Sequence, residues 1–146
     1  MEPDLIPYQA LGSIEARRVL VLAPHPDDEV FGCGGALARH VQDGAEVRVI
    51  VMTAGGAGGD PQERRQESVA AAGILGYPAP EFWDEPDRGL TCSEALIQRL
   101  CGILRSQGTD LLYAPSGWEV HPDHRQASAL AMEAVRRVGG LLRLAW

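Results

Sequence analysis

The chain has no surplus of positive charge, no long apolar run and very little cysteine, and each shortage narrows what it can do. Thirteen basic side chains stand against 20 acidic ones, giving a net charge of −7 and a pI near 5.0 over 146 residues. A nucleic-acid surface needs clustered Lys and Arg to neutralise phosphates. No such run occurs, so neither nucleic acid nor an anionic membrane surface is an expected partner. No apolar stretch approaches the roughly 20 residues that span a bilayer, and Met1, Glu2, Pro3 and Asp4 do not form the basic opening of a secretion signal. The expectation is a cytoplasmic protein without a membrane span. Cys33, Cys92 and Cys101 are odd in number and lack C-x-x-C spacing, so neither a disulfide framework nor a thiolate zinc site is indicated. Nucleotide motifs are missing too. Gly55, Gly56, Gly58 and Gly59 are not followed by the Gly-Lys-Ser/Thr of a P-loop, and Gly32, Gly34 and Gly35 fail G-x-G-x-x-G because Leu37 holds the last place.

What remains is the composition of one globular domain, 45% hydrophobic and 23% charged. Residues 1–17 read as a polar arm and 18–146 as the domain. RVLVLA at Arg18–Ala23 is a β-branched apolar run suited to a strand buried on both faces, and EVRVIVMT at Glu46–Thr53 is a second. Between them Leu37 and Val41 mark a helix stopped by Gly44. Asp60, Pro61 and Glu63 open a second helix that runs to Gly76. Glu81–Trp83 reads as a short third strand, Thr91 with Glu94 as a capping box for a helix ending before Gly108, and Asp110–Ala114 as the fourth strand. A helix from about His121 to Val138 precedes an opening strand at Leu141–Trp146. The alternation predicts an α/β fold, a Rossmann-like three-layer sandwich on a mostly parallel sheet, which reads as cut short at its C-terminus.

Two clusters carry chemistry. PHPDDE puts His25, Asp27, Asp28 and Glu29 directly after the first strand, where open α/β sheets hold ligands. One acid there could cap the following helix, but one cap does not need three acids. So many ionisable groups packed together repel one another unless a cation joins them, and imidazole with carboxylate suits a borderline metal. HPDH, with His121, Asp123 and His124, follows the fourth strand at the same end of the sheet.

Both motifs resemble the signatures of the LmbE-like, or PIG-L, family of N-acetylglucosaminyl deacetylases. The resemblance extends to Arg64 and Glu67 in RRQESVAAAGILG, similar to the family's Arg-x-x-Glu helix, and to Pro86, Asp87 and Gly89, similar to its Pro-Asp-Gly turn; it covers roughly 19–137. It implies that His25, Asp28 and His124 bind zinc, with ferrous iron or another divalent ion as the alternative, and that Asp27 is the general base. It also implies hydrolysis of an N-acetyl group from an amino sugar or glycoconjugate.

Three protein ligands would leave zinc an open position, as in catalytic sites. His121 is then expected to protonate the departing amine, and Asp123 either to hold an imidazole in its tautomer or to cap the helix. Arg64, Asp87 and Trp118 are the expected substrate contacts, and Glu29 reads either as an acid supporting the metal site or, preferred here, as a first-turn acid with a structural part. Two other readings stay open: a non-haem iron enzyme using the same three ligands, and a non-catalytic metal- or nucleotide-binding module. Nothing in the sequence sets an oligomeric state.

Overall fold

The apolar run RVLVLA becomes β1 (Arg18–Ala23), with five of its six residues buried, in a computed structural model that describes residues 14–56 and 58–146. Of the expected arm, residues 1–13 lie outside the described residues. β1 is the middle strand of a five-stranded sheet in the order β3-β2-β1-β4-β5, completed by β2 (Glu46–Thr53), β3 (Glu81–Glu85), β4 (Leu111–Tyr113) and β5 (Arg143–Ala145). Every pairing is parallel. Among the described residues, four helices complete the fold: α1 (Asp28–Gln42), α2 (Pro61–Leu75), α3 (Glu94–Gln107) and α4 (Pro122–Val138).

The two-residue period of the strands sorts the core into two layers. Leu20, Leu22, Ile50 and Met52 face α3 and α4, where Leu100, Leu104 and Leu130 meet them. Val19, Val21, Val47 and Val49 face the other way, onto Leu37 of α1 and Ala72 of α2. Burying each Leu or Val side chain contributes about 1.5–3 kcal/mol, so a strand that is apolar on both faces is stable only between two helical layers. The chain runs from β1 to β2 on one side and reaches β4 on the other. The sheet therefore has its switch point between β1 and β4, where their carboxyl ends part to leave a crevice.

The second helix follows its sequence signals. Asp60 accepts from the amides of Gln62 and Glu63 at 2.7 and 3.3 Å, Pro61 sits at the first helical position, and Gly76 closes the helix at φ +86°. A Cβ on Gly76 would meet Val41 Cγ1 at 3.1 Å in a left-handed backbone. Gly76→Ala is therefore expected to destabilise the fold by about 1 kcal/mol or more, read as a lower urea midpoint with an unchanged slope.

Other boundaries differ from the sequence expectation. α3 opens on Ser93, whose hydroxyl accepts from Leu96 N at 3.3 Å, rather than on Thr91. The reason is tertiary: the Cys92 amide is held by Gln126 of α4 at 2.8 Å, so the helix starts only beyond it. β4 is shorter than the apolar run suggests, with Asp110 turned back to accept from the amides of Arg17 and Arg18. β3 runs two residues further, to Glu85, and β5 spans only three residues. No helix among the described residues is long and apolar enough to cross a membrane.

Candidate metal centre

β1 ends at Ala23, and Pro24 fixes the turn, its carbonyl accepting from Thr53 N of β2 at 2.9 Å. This delivers His25, 8% exposed, to the carboxyl edge of the sheet. Its Nδ1 lies 3.1 Å from Asp28 Oδ2, in the first turn of α1. The same oxygen lies 3.1 Å from His124 Nε2 of α4. One carboxylate oxygen thus stands between two imidazole nitrogens that are 99 residues apart in the sequence. Two ligands of a tetrahedral zinc, each about 2.0–2.2 Å from the ion, are themselves about 3.3–3.5 Å apart. At 3.1 Å, both spacings from Asp28 Oδ2 lie close to that separation, so the donor types and these two distances are compatible with a shared divalent ion.

The electrostatics agree. Burial alone would raise the Asp28 pKa, but hydrogen bonds from His124 and His25 outweigh it and hold the carboxyl well below the usual carboxylate range. Burial likewise disfavours a charged His25, yet Asp28 and Asp123 together raise its pKa above the ordinary value of 6.5.

His25 is gripped from its far side as well. Its Nε2 lies 3.1 Å from Asp123 Oδ2 and 3.4 Å from Asp87 Oδ1 of the Pro-Asp-Gly turn. Asp123, 1% exposed, also accepts from Arg88 N at 2.7 Å and Leu90 N at 3.1 Å, so one carboxylate ties that turn to the first motif. Of the two parts open to Asp123 in the sequence, the structure shows the imidazole contact, made to His25. The cap belongs to His121, whose Nδ1 accepts from Asp123 N at 3.2 Å. A neutral His121 must then carry its proton on Nε2. Its ring stands edge-on to His25 with centroids 4.6 Å apart. Ligating atoms of His25, His121 and His124 lie within 4.8 Å of one another, as do those of His25, Asp87 and Asp123.

Asp27 sits beside this cluster with a different outlook. It occupies the N-cap position of α1 at φ +105°, its side chain makes no capping bond, and half of that side chain is exposed. Arg64 of α2 donates to Asp27 Oδ2 at 3.0 Å, to the Pro26 carbonyl at 2.7 Å and to the Gly55 carbonyl at 2.6 Å. In this arrangement the Arg64 guanidinium steadies an acid and two backbone carbonyls. Trp118 is 96% exposed, and Glu67 faces solvent. Between β1 and β4, a cavity of about 340 Å³ opens against Asp28 and His124, with Phe31, Tyr113, Ala114 and Pro115 among its walls. Burial and the nearby Glu29 push the Cys33 thiol up to about 12, which disfavours the thiolate a nucleophile needs.

Two polar residues escape a reading of the motifs alone. Glu29 is fully buried and Ser68 is 3% exposed, and the Ser68 hydroxyl donates to Glu29. Glu29 lies four residues before Cys33 and eight before Leu37, on the inward stripe of α1, and Ser68 lies one turn after Arg64. Helical spacing was the available signal for both.

The model for PIG-L, described as GlcNAc-PI de-N-acetylase, matches residues 20–135, which include both clusters and the helix and turn between them. The chain belongs to the PIG-L family. Similar proteins include diacetylchitobiose deacetylase of Thermococcus kodakarensis, 29% identical over 137 residues, which cover 86% of this chain and 51% of that protein. Among solved structures, N,N'-diacetylchitobiose deacetylase from Pyrococcus horikoshii superposes with a TM-score of 0.79 at 35% identity, over 84% of this chain and 50% of that one. GalB, the 4-carboxy-2-hydroxymuconate hydratase of Pseudomonas putida, superposes at 0.74 with 28% identity, over 81% of this chain and 55% of that one. The chain thus spans about half the length of these similar proteins.

Proposed function

We propose that the chain forms the catalytic core of a metal-dependent hydrolase that removes an N-acetyl group from an amino sugar or glycoconjugate. The observation that carries the reading is the position of Asp28 Oδ2, 3.1 Å from both His25 Nδ1 and His124 Nε2, with the freer carboxylate of Asp27 in the next residue. His25, Asp28 and His124 are the metal ligands, and zinc is the ion that two imidazoles and one carboxylate suit best. When bound, such an ion polarises the amide carbonyl and lowers the pKa of water from about 15.7 toward about 7.

The remaining work falls to side chains of this chain. Asp27 accepts the proton of the attacking water, and its exposure lets it face that water while Arg64 holds its other flank. His121 protonates the nitrogen that leaves as the amine from its imidazolium form, a state in which Nδ1 gives up the Asp123 amide it accepts from here and Nε2–H faces the substrate. Asp123 fixes the tautomer of His25 by taking its Nε2–H, which leaves the Nδ1 lone pair for the ion. Arg64, Asp87 and Trp118 line the approach to the sugar, with Trp118 offering an aromatic face.

The direct test is metal analysis together with an assay for acetate and free amine, using N-acetylated amino sugars that include diacetylchitobiose. The expected result is one divalent ion per chain and equal yields of the two products. A second reading rests on the likeness to a hydratase: the same residues could activate water for addition to a carbon–carbon double bond. Turnover of an unsaturated hydroxy acid, with no acetate released from any amide, would favour it. Asp123→Ala is expected to weaken metal affinity about 10–100-fold, read by competitive titration against a chromophoric chelator, because His25 loses its orienting carboxylate.

A further inference from the structure

The fully buried carboxylate of Glu29 takes no part in the chemistry above, yet both of its oxygens are in use. Oε2 accepts from the backbone N–H of Asp27 at 3.0 Å, and Oε1 takes the hydroxyl of Ser68. Ser68 belongs to α2, so the contact ties the first turn of α1 to a neighbouring helix.

Its meaning follows from how the other helices begin. Asp60, Ser93 and His121 all hold extended backbone, with φ between −68° and −89°, and each turns its side chain back to accept an amide of the first turn. This is the default at an N-cap, and Asp is among the residues that adopt it most readily. Asp27 occupies the same position before α1 and does otherwise, with φ +105°, ψ −26° and no side-chain capping bond. A residue other than glycine needs support to stay in that region. In the default geometry the Asp27 carboxylate would fold onto its own helix and leave the reaction.

We propose that Glu29 and Ser68 are positioning residues for Asp27: the Glu29 carboxylate, held by Ser68, keeps the Asp27 amide in the left-handed conformation that stops its side chain from capping α1 and leaves it free to act as base. Arg64 completes the brace from outside, on the Pro26 carbonyl and on Asp27 Oδ2. The inference rests on the reading of Asp27 as general base, but the backbone arrangement can be tested without it.

The experiment uses the full chain loaded with metal. Glu29→Ala is expected to lower kcat for acetate release about 100-fold, with KM and bound metal unchanged, since a small displacement of a catalytic group costs about that much. Glu29→Gln should restore most of the loss, because its amide oxygen can accept from Asp27 N–H while its NH2 donates to Ser68. Ser68→Ala should lose about 10-fold and Ser68→Thr little; this pair decides the matter if Glu29→Ala does not fold.

A brace that acts through Asp27 has nothing to position once that carboxylate is gone, so Glu29→Ala should cause no further loss on an Asp27→Asn background. Full multiplication of the two losses, or a wild-type kcat in Glu29→Ala, overturns the proposal. A readout independent of turnover is hydrogen exchange of the Asp27 amide by NMR, expected to be slow in the wild type and fast in Glu29→Ala and Ser68→Ala. Fast exchange in the wild type overturns the brace. Slow exchange in a wild type that releases no acetate would keep the brace and sink the deacetylase reading.

Discussion

Asp27→Asn is expected to lower kcat for acetate release by about 10²- to 10⁴-fold, the contribution of a general base, while the protein keeps its full complement of metal. Asparagine has the size of aspartate and tolerates left-handed backbone, so the loop before α1 should keep its course. What it cannot do is take a proton. The contacts of Asp28 run to His25 and His124, whereas Asp27 meets Arg64, so the ion should not notice the change. Steady-state kinetics beside metal analysis of the same sample decide the matter. If the metal leaves with the activity, the division of labour between Asp27 and Asp28 is wrong.

His124→Ala is expected to bring turnover to background and to weaken metal binding by at least about 100-fold, beyond what loss of an orienting partner costs. Of the three proposed ligands, His124 alone comes from α4 and the second motif, so its removal opens one whole side of the site. The loss should also show in stability. A ligand present at about 100 times its Kd stabilises a fold by about 2.7 kcal/mol, so metal should raise the Tm of the wild type. It should leave the Tm of His124→Ala unchanged at the same concentration. An unaltered metal-dependent rise in the variant would place the ion elsewhere.

The parts of this molecule that its sequence discloses are those fixed by local physics. β1 and β2 fall where uninterrupted β-branched runs put them, because strands buried on both faces leave no polar residue to blur the ends. α2 is bounded by Asp60 with Pro61 and by Gly76, each of which acts within one turn. Thr91 and Ser93 are equally good caps by type, and the choice between them is made by Gln126, a residue of another helix.

The site divides in the same way. His25, Asp27, Asp28, His121, Asp123 and His124 are visible as two dense motifs, and their meeting follows from two strand ends at one edge of a parallel sheet. Which imidazole Asp123 holds is not visible, because its partner His25 lies 98 residues away and the local alternative, capping α4, is taken by His121. The burial of Glu29 was hidden for a different reason. An acid in the first turn of a helix already has a sufficient explanation in the helix dipole, which masks the spacing that puts Glu29 on the inward stripe with Leu37, and the contact with Ser68 of α2 gives it another.

Anomalous scattering from crystals of the metal-loaded protein tests the centre most directly. The account predicts one strong peak bonded to His25 Nδ1, an oxygen of Asp28 and His124 Nε2, with Asp123 still on the opposite nitrogen of His25. A peak among His25 Nε2, Asp87 and Asp123 instead, or none at saturating metal, would contradict it.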